Sequence, residues 1–217
     1  MGDEMSILKF DEINRLGMER RSEPINEYFR PMNISAQRRK RREEMAERYF
    51  KAMMEYLSFL DEFIGFVTFQ GEILKNSAQK ILEDGLMDVI AGYVIMDSVM
   101  TDYVKRVSVE INDSTIRHIN DPYYRSEDRA MLIAEDESNG IVNHDELQEA
   151  IRNGRKYKTW NTMRDRKVRD THRPLEGKKI PIEEYFNVGG VYMMCPRDPD
   201  VDAPEETCGC RCWLTFS

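Results

Sequence analysis

Apolar residues recur every three or four positions in the segment that follows Ser35, which is the spacing of one face of an α-helix. Ser35 is a residue type that favours a helix N-cap. Phe50, Leu57 and Ile64 widen the apolar stripe on both sides. The pattern predicts a long amphipathic helix with one broad buried face. The central stripe consists of Ala46, Tyr49, Met53, Tyr56, Leu60 and Phe63.

A second apolar seam predicts another long helix, from about Ala78 to Val107. Glycines at positions 65 and 71 indicate a break or a bend between the two helices. The short connection favours an antiparallel hairpin. The segment "NDSTIRHINDPYYRSEDR", residues 112–129, is rich in turn formers, and Asp121-Pro122 predicts a loop within it.

A third helix is expected from about Ser126 to Asn153. Because Asn139-Gly140 lies near its middle, two shorter helices fit the pattern as well as one long helix does. The acidic run in Ala134–Glu137 is interpreted as a solvated helix face, because carboxylates without ligand spacing usually face water.

The pattern changes at about residue 156, where short segments that favour strands alternate with glycine and proline. Four strand segments are predicted, at 156–162, 178–186, 189–195 and 211–216. The expected fold class is therefore α+β, with long helices first and a small irregular β-rich module last. The expected divisions are an extended arm over 1–34, a helical docking region over 35–124 and a domain over 125–217.

The chain has 217 residues and a formal charge of −8, which argues against a nonspecific nucleic-acid binder. Neither a signal peptide nor a membrane-spanning run is recognised, so we expect a soluble protein made in a reducing cytoplasm, with no membrane partner. One local basic run stands out. Two interpretations stay open for it: a solvated turn beside Glu43 and Glu44, or a contact with phosphates or an acidic protein. The run comprises Arg38, Arg39, Lys40, Arg41 and Arg42.

The four cysteines all fall within the last quarter of the chain, and a single histidine, His172, precedes them there. Such clustering in a reducing compartment favours metal over disulfides, and sulfur with imidazole suits structural zinc. Buried free cysteines, a disulfide and a catalytic Cys–His pair are the alternatives. Asp170 is the expected orienting partner of His172. The candidate ligands are His172, Cys195, Cys208, Cys210 and Cys212.

Residues 125–217 resemble the C-terminal domain of the phage Mu F-like head-morphogenesis family of minor head proteins. The resemblance rests on "KTWNTMRDRKVRDTHRPLEG" and on "CPRDPDVDAPEETCGCRCWL". Its structural residues include Trp160, Asp165, Arg169, Asp170 and Gly177. Cys195 and Cys208 are additions to the family's Cys-x-Cys pair, and residues 1–124 carry no motif that matches.

The resemblance implies a nonenzymatic minor capsid protein, made in a bacterial host and carried in several copies in the virion near the portal vertex. The implied partners are the portal protein and the major capsid protein, with packaged DNA as a further candidate. It also implies a role in head assembly, DNA packaging or ejection. The alternative is a metal-dependent hydrolase or toxin-related enzyme centred on Asp170, His172 and the cysteines.

Overall fold

The computed structural model describes residues 28–67 and 71–217. Four long helices are α1 (Ala36–Val67), α2 (Gly71–Ala91), α3 (Ser98–Arg117) and α4 (Glu127–Arg152). The Ser35 hydroxyl accepts a hydrogen bond from the Arg38 amide at 3.3 Å, which confirms the predicted start of α1. The predicted stripe is buried except at Phe63, which is half-buried.

The prediction of a single helix from Ala78 to Val107 is wrong. α2 begins at Gly71 and ends at Ala91, and α3 then runs to Arg117, into the segment that is rich in turn formers. Asp97 caps α3 by accepting from the Met100 amide at 2.8 Å. Gly92, a poor helix former, lies at the break.

α1 and α2 form the expected antiparallel pair. The Tyr93 hydroxyl, just beyond the end of α2, donates to Glu44 near the start of α1 at 2.6 Å. Further along, Gly85 of α2 packs on Ala52 of α1. A Cβ atom at Gly85 would lie 3.5 Å from that of Ala52, an ordinary van der Waals distance.

α4 is one unbroken helix, so Asn139-Gly140 does not divide it. Ser126 caps its start by accepting from the Arg129 amide, and Asn153 closes its end. Most side chains from Arg129 to Leu147 are buried, polar ones included. α4 is therefore a central helix with neighbours on every side.

The C-terminal module contains five short strands: β1 (Tyr157–Asn161), β2 (Lys179–Pro181), β3 (Phe186–Val188), β4 (Val191–Met193) and β5 (Trp213–Phe216). They form two small antiparallel sheets, one with the order β2-β1-β5 and one that pairs β3 with β4. Trp160 of β1 pairs with Leu214 of β5, and Lys158 pairs with Ile180 of β2. Four of the strands lie inside the predicted segments, whereas β3 lies mostly between two of them. Long helices followed by small antiparallel sheets confirm the α+β class.

Three short helices complete the described elements: 3-10 turns at Pro122–Arg125 and Arg173–Leu175, and α5 (Pro204–Thr207). The core of the module is built around Trp160 and Phe186, whose rings meet edge to face at 5.1 Å between centroids. Leu147 and Ala150 of α4 belong to the same core. α4 therefore joins the helical part to the module.

The predicted arm is only partly covered by the described residues. Residues 1–27 lie outside them. Within residues 28–34, the side chains of Tyr28, Phe29 and Met32 are buried against Ala46 and Trp213, so this part of the expected arm packs on the rest of the protein. Among the described helices, none has the length and apolarity that crossing a membrane requires.

Candidate functional site

One member of the basic run lies inside the protein. Arg42 is fully buried, and its guanidinium donates two hydrogen bonds to Glu146 of α4 at 2.8 and 2.9 Å. It also donates to Asn139 at 3.1 Å and to Asn143 at 2.8 Å. Arg42 is therefore unavailable to an external phosphate, which corrects the inclusion of this residue in a contact surface.

The other cations of the run differ in exposure. Arg38 forms a bidentate pair with Glu146 at 2.6 and 2.8 Å, and Arg41 pairs with Asp145. Arg39 is half-buried and donates to the Met32 carbonyl. Lys40 is exposed and pairs with Glu44 at 3.4 Å. Internal pairing accounts for most of the run, and the phosphate contact stays a prediction for its exposed members.

The Ala134–Glu137 segment was expected to be a solvated face, and this is wrong. Asp136 and Glu137 are buried and both form ion pairs with Arg197, a residue of the C-terminal module. Burial lowers the pKa of Arg197, but the two carboxylates outweigh it and raise that pKa well above its ordinary value. The partner lies 60 residues away along the chain, so local sequence carried no signal of it.

Asn139 and Asn143 of α4 position the cysteine-rich segment. The Asn139 amide donates to the carbonyls of Cys210 and Cys212 at 3.0 and 3.1 Å. Asn143 donates to the Cys212 carbonyl at 3.1 Å. Arg42 of α1 donates hydrogen bonds to the side-chain oxygens of both asparagines. A continuous set of hydrogen bonds therefore runs from α1 through α4 to the cysteines.

Gly209 gives this segment its turn. Its φ of 67° lies in the left-handed region that glycine adopts without strain, and its amide donates to Asp136 at 2.8 Å. Cys210 and Cys212, two residues apart, then present their sulfur atoms to the same side.

Three of the predicted ligands come together. The Nδ1 atom of His172 lies 3.6 Å from the Cys210 sulfur and 3.5 Å from the Cys212 sulfur. All three side chains are buried, and their donor atoms lie within 4.8 Å of one another. Zinc–sulfur bonds of about 2.3 Å and zinc–nitrogen bonds of about 2.0 Å at tetrahedral angles separate N and S by about 3.5 Å. The observed spacing is therefore that of three corners of a zinc tetrahedron.

The three groups affect one another's ionisation. The contact between the two sulfurs lowers the pKa of Cys210 and raises that of Cys212. Burial lowers the pKa of His172, but the Cys210 sulfur outweighs burial and raises it. The buried indole N–H of Trp160 has no hydrogen-bond acceptor among the described residues, although its proximity favours the Cys212 thiolate. A metal that ionised both sulfurs would provide that acceptor.

The carboxylate that orients His172 is Glu206, and the expected Asp170 is not involved. Glu206 Oε2 lies 3.0 Å from His172 Nε2 and also accepts from the Thr171 hydroxyl at 2.7 Å. Asp170 is 93% exposed and pairs with Arg173. No sequence signal distinguished Glu206 from its neighbour Glu205. A carboxylate on the far ring nitrogen fixes the tautomer that presents Nδ1 to a metal.

The remaining two cysteines do not join this group. Cys195 is buried in a second group, with its sulfur within 4.8 Å of donor atoms of His144 and Asp198. His144 Nε2 lies 3.1 Å from Asp97. Burial raises the pKa of Cys195, and the ammonium of Lys158 partly opposes it. The carboxylate of Asp198 already accepts hydrogen bonds from the amides of Met194 and Asp200, at 2.6 and 3.2 Å, so we interpret this group as an internally hydrogen-bonded cluster.

Cys208 lies near Arg197 and Asp136, and burial raises its pKa. Its carbonyl accepts from Arg169, one of the residues that carry the resemblance. The set of candidate metal ligands is therefore reduced from five residues to His172, Cys210 and Cys212.

The other motif residues frame the same site. Trp160 packs edge to face on His172 at 5.7 Å between ring centroids. Asp165 pairs with Arg211, the residue between the two ligand cysteines, at 2.6 Å. Gly177 has a φ of 72° and its amide donates to the Trp160 carbonyl at 2.8 Å. Their common role is to hold the loops around the three donor atoms.

Comparison with known proteins identifies one family. The family described as "Phage Mu protein F like protein" matches residues 99–215, from the start of α3 to β5. This range contains the three candidate ligands, Glu206 and the buried acidic face of α4. Neither a curated protein nor a solved structure matches the chain.

Proposed function

Because the chain belongs to the family of phage Mu protein F like proteins, whose role is head morphogenesis, we propose that it is a nonenzymatic minor head protein of the virion. In this proposal it associates with the portal vertex and serves head assembly, with DNA packaging or ejection as later steps. The observation that carries the proposal is the match over 99–215, which spans the module and the helix that anchors it.

The structure supports a scaffold role for the matched region. Several of its charged side chains are buried, and their ion pairs join α4 to α1 and to the C-terminal module. The desolvation of buried charges offsets much of the stability that their attraction provides. In some proteins, however, buried ion pairs fix one specific arrangement of the elements they join. A head protein that presents fixed surfaces to its neighbours benefits from such specificity.

The three-residue group supplies the second part of the proposal, a structural zinc ion held by His172, Cys210 and Cys212. The ion would tie the loop after β1 to the segment before β5. A module with two small sheets buries little apolar surface, and a metal adds stability that burial does not provide. The geometry fits zinc through the spacing of the donor atoms and the Glu206 contact.

α2 offers the surface that we assign to docking. Ile73 is 68% exposed and Ile81 is 36% exposed, eight residues apart on the outer part of this helix. Exposed aliphatic side chains at helical spacing suit a helix-to-helix contact with a neighbouring head protein. The proposed partner is the portal protein.

Co-purification with the portal protein tests this proposal. Ile73→Asp should reduce recovery of the complex at least tenfold, whereas Gln37→Glu, which adds the same charge to an exposed position of α1, should leave recovery unchanged. If the unmodified chain fails to associate with the portal protein both in solution and in assembled heads, portal association is refuted.

A further inference from the structure

The three candidate ligands all line one small cavity. His172, Cys210 and Cys212 line it together with the segment from Met163 to Arg169. Its volume is about 10 Å³, close to the space that one water molecule needs. Any group in this cavity therefore meets the imidazole nitrogen and both sulfurs at once.

The cavity has no fourth protein ligand of the kinds that zinc prefers. Beyond the three donors, its described lining includes no histidine, cysteine, aspartate or glutamate. Met163 offers only a thioether, which is a ligand for softer ions. Glu206 bonds Nε2 and so lies on the other side of the imidazole ring.

The lining is also positively charged. Lys167, Arg169 and Arg211 all contribute to it. Arg211 is neutralised by Asp165, whereas the guanidinium of Arg169 donates to the uncharged Cys208 carbonyl, and Lys167 is exposed. A zinc ion with two thiolates and a neutral imidazole has no net charge. The surrounding cations then favour a fourth ligand that is negatively charged.

From this arrangement we propose that the metal centre keeps its fourth coordination position open to an exogenous small anion, with hydroxide from solvent as the resident ligand. The inference rests on the proposed zinc site and adds to it an exchangeable position. Structural zinc sites are usually closed by four protein ligands, so the proposal sets this centre apart from them. The lining offers no carboxylate to act as a general base, so the position is assigned to ligand exchange and not to hydrolysis.

Cobalt substitution with azide as the probe tests the open position. The full chain loaded with Co²⁺ should bind one equivalent and show the visible absorption of a tetrahedral ion. Azide should then change that spectrum saturably. Lys167→Gln should raise the Kd for azide about threefold, as expected for loss of one exposed charge near the site. Lys178→Gln, an exposed control outside the cavity lining, should leave the Kd unchanged.

Two outcomes would overturn the open fourth coordination position and leave the proposed metal centre unaffected. One is a cobalt spectrum that azide does not alter. The other is a spectrum altered by Cys208→Ser or Met163→Leu, which would identify a fourth ligand from the protein. Failure of the unmodified chain to bind cobalt or zinc would instead overturn the metal centre itself. The docking proposal would be unaffected, because co-purification with the portal protein measures it separately.

Discussion

The guanidinium of Arg42 and the carboxylate of Glu146 form a buried bidentate ion pair, with both contacts under 3 Å, that joins α1 to α4. Arg42 also holds Asn139 and Asn143, which in turn bind the carbonyls around the ligand cysteines. Arg42, a member of the basic run, thus supports the candidate metal centre through these two asparagines of α4.

Removal of Arg42 should destabilise the protein strongly. Arg42→Met leaves the amide oxygens of two asparagines without their donor and removes one of the two cations at Glu146. We expect a loss of about 3 kcal/mol in the free energy of unfolding, measured by chemical denaturation. Lys40→Met, in the same run but exposed, should change it by less than about 0.5 kcal/mol. Equal effects of the two variants would contradict the distinction between buried and solvated cations.

The free energy of unfolding should depend on pH through the ionisation of Glu146. Burial acts to raise the pKa of this carboxyl, but hydrogen bonds from Arg38 and the charge of Arg42 outweigh it and lower the pKa to about 2. The pKa of a glutamate carboxyl in the unfolded chain is about 4.3. The ionised form of Glu146 therefore stabilises the folded state at pH values above about 4.3. The contribution, roughly 3 kcal/mol, is complete at neutral pH and is lost as pH falls from about 5 towards 2.

Comparison of the natural chain with Glu146→Gln measures this contribution. The difference in the free energy of unfolding should be largest near pH 6 and should shrink steadily as pH is lowered to 3. A difference that stays constant across this range would show that the carboxylate charge contributes nothing.

The success and failure of sequence reasoning follow from the range of the interactions involved. The α1 stripe, the Ser35 cap and the start of α4 near Ser126 depend on residues within a few positions, and they were predicted correctly. The buried acidic run was not, because its partner Arg197 is about 60 residues away. Likewise, nothing local separates Glu206 from Glu205 as the partner of His172. The five candidate ligands could be identified by residue type, but only three-dimensional positions separate Cys195 and Cys208 from the rest.

Gly140 is a test of how closely the module packs on α4. A Cβ atom at this position would lie 3.1 Å from both the Cβ and the carbonyl oxygen of Arg197. Gly140→Ala should therefore lower stability by about 1–3 kcal/mol, although alanine is the better helix former. Gly85→Ala in α2 meets only an ordinary 3.5 Å contact with Ala52 and should be neutral or stabilising by up to about 1 kcal/mol. Similar thermal shifts in the two variants would contradict this packing.

Loss of a metal ligand should act on the module and spare the long helices. We expect Cys210→Ser to abolish stoichiometric zinc and to unfold the strands around Trp160, while helical circular dichroism is largely retained. Cys208→Ser, outside the three-residue group, should retain zinc and the thermal transition of the module. Less than a tenth of an equivalent of zinc in the natively purified chain would refute the metal centre, as would an unchanged module transition in Cys210→Ser.

The most direct test of the central claim is the protein composition of purified phage heads. Quantitative mass spectrometry of gradient-purified, DNA-filled heads should detect this chain in several copies per particle, far fewer than the major capsid protein. It should also cross-link to the portal protein. Absence of the chain from heads, when it is abundant in the same lysate, would contradict its assignment as a minor head protein.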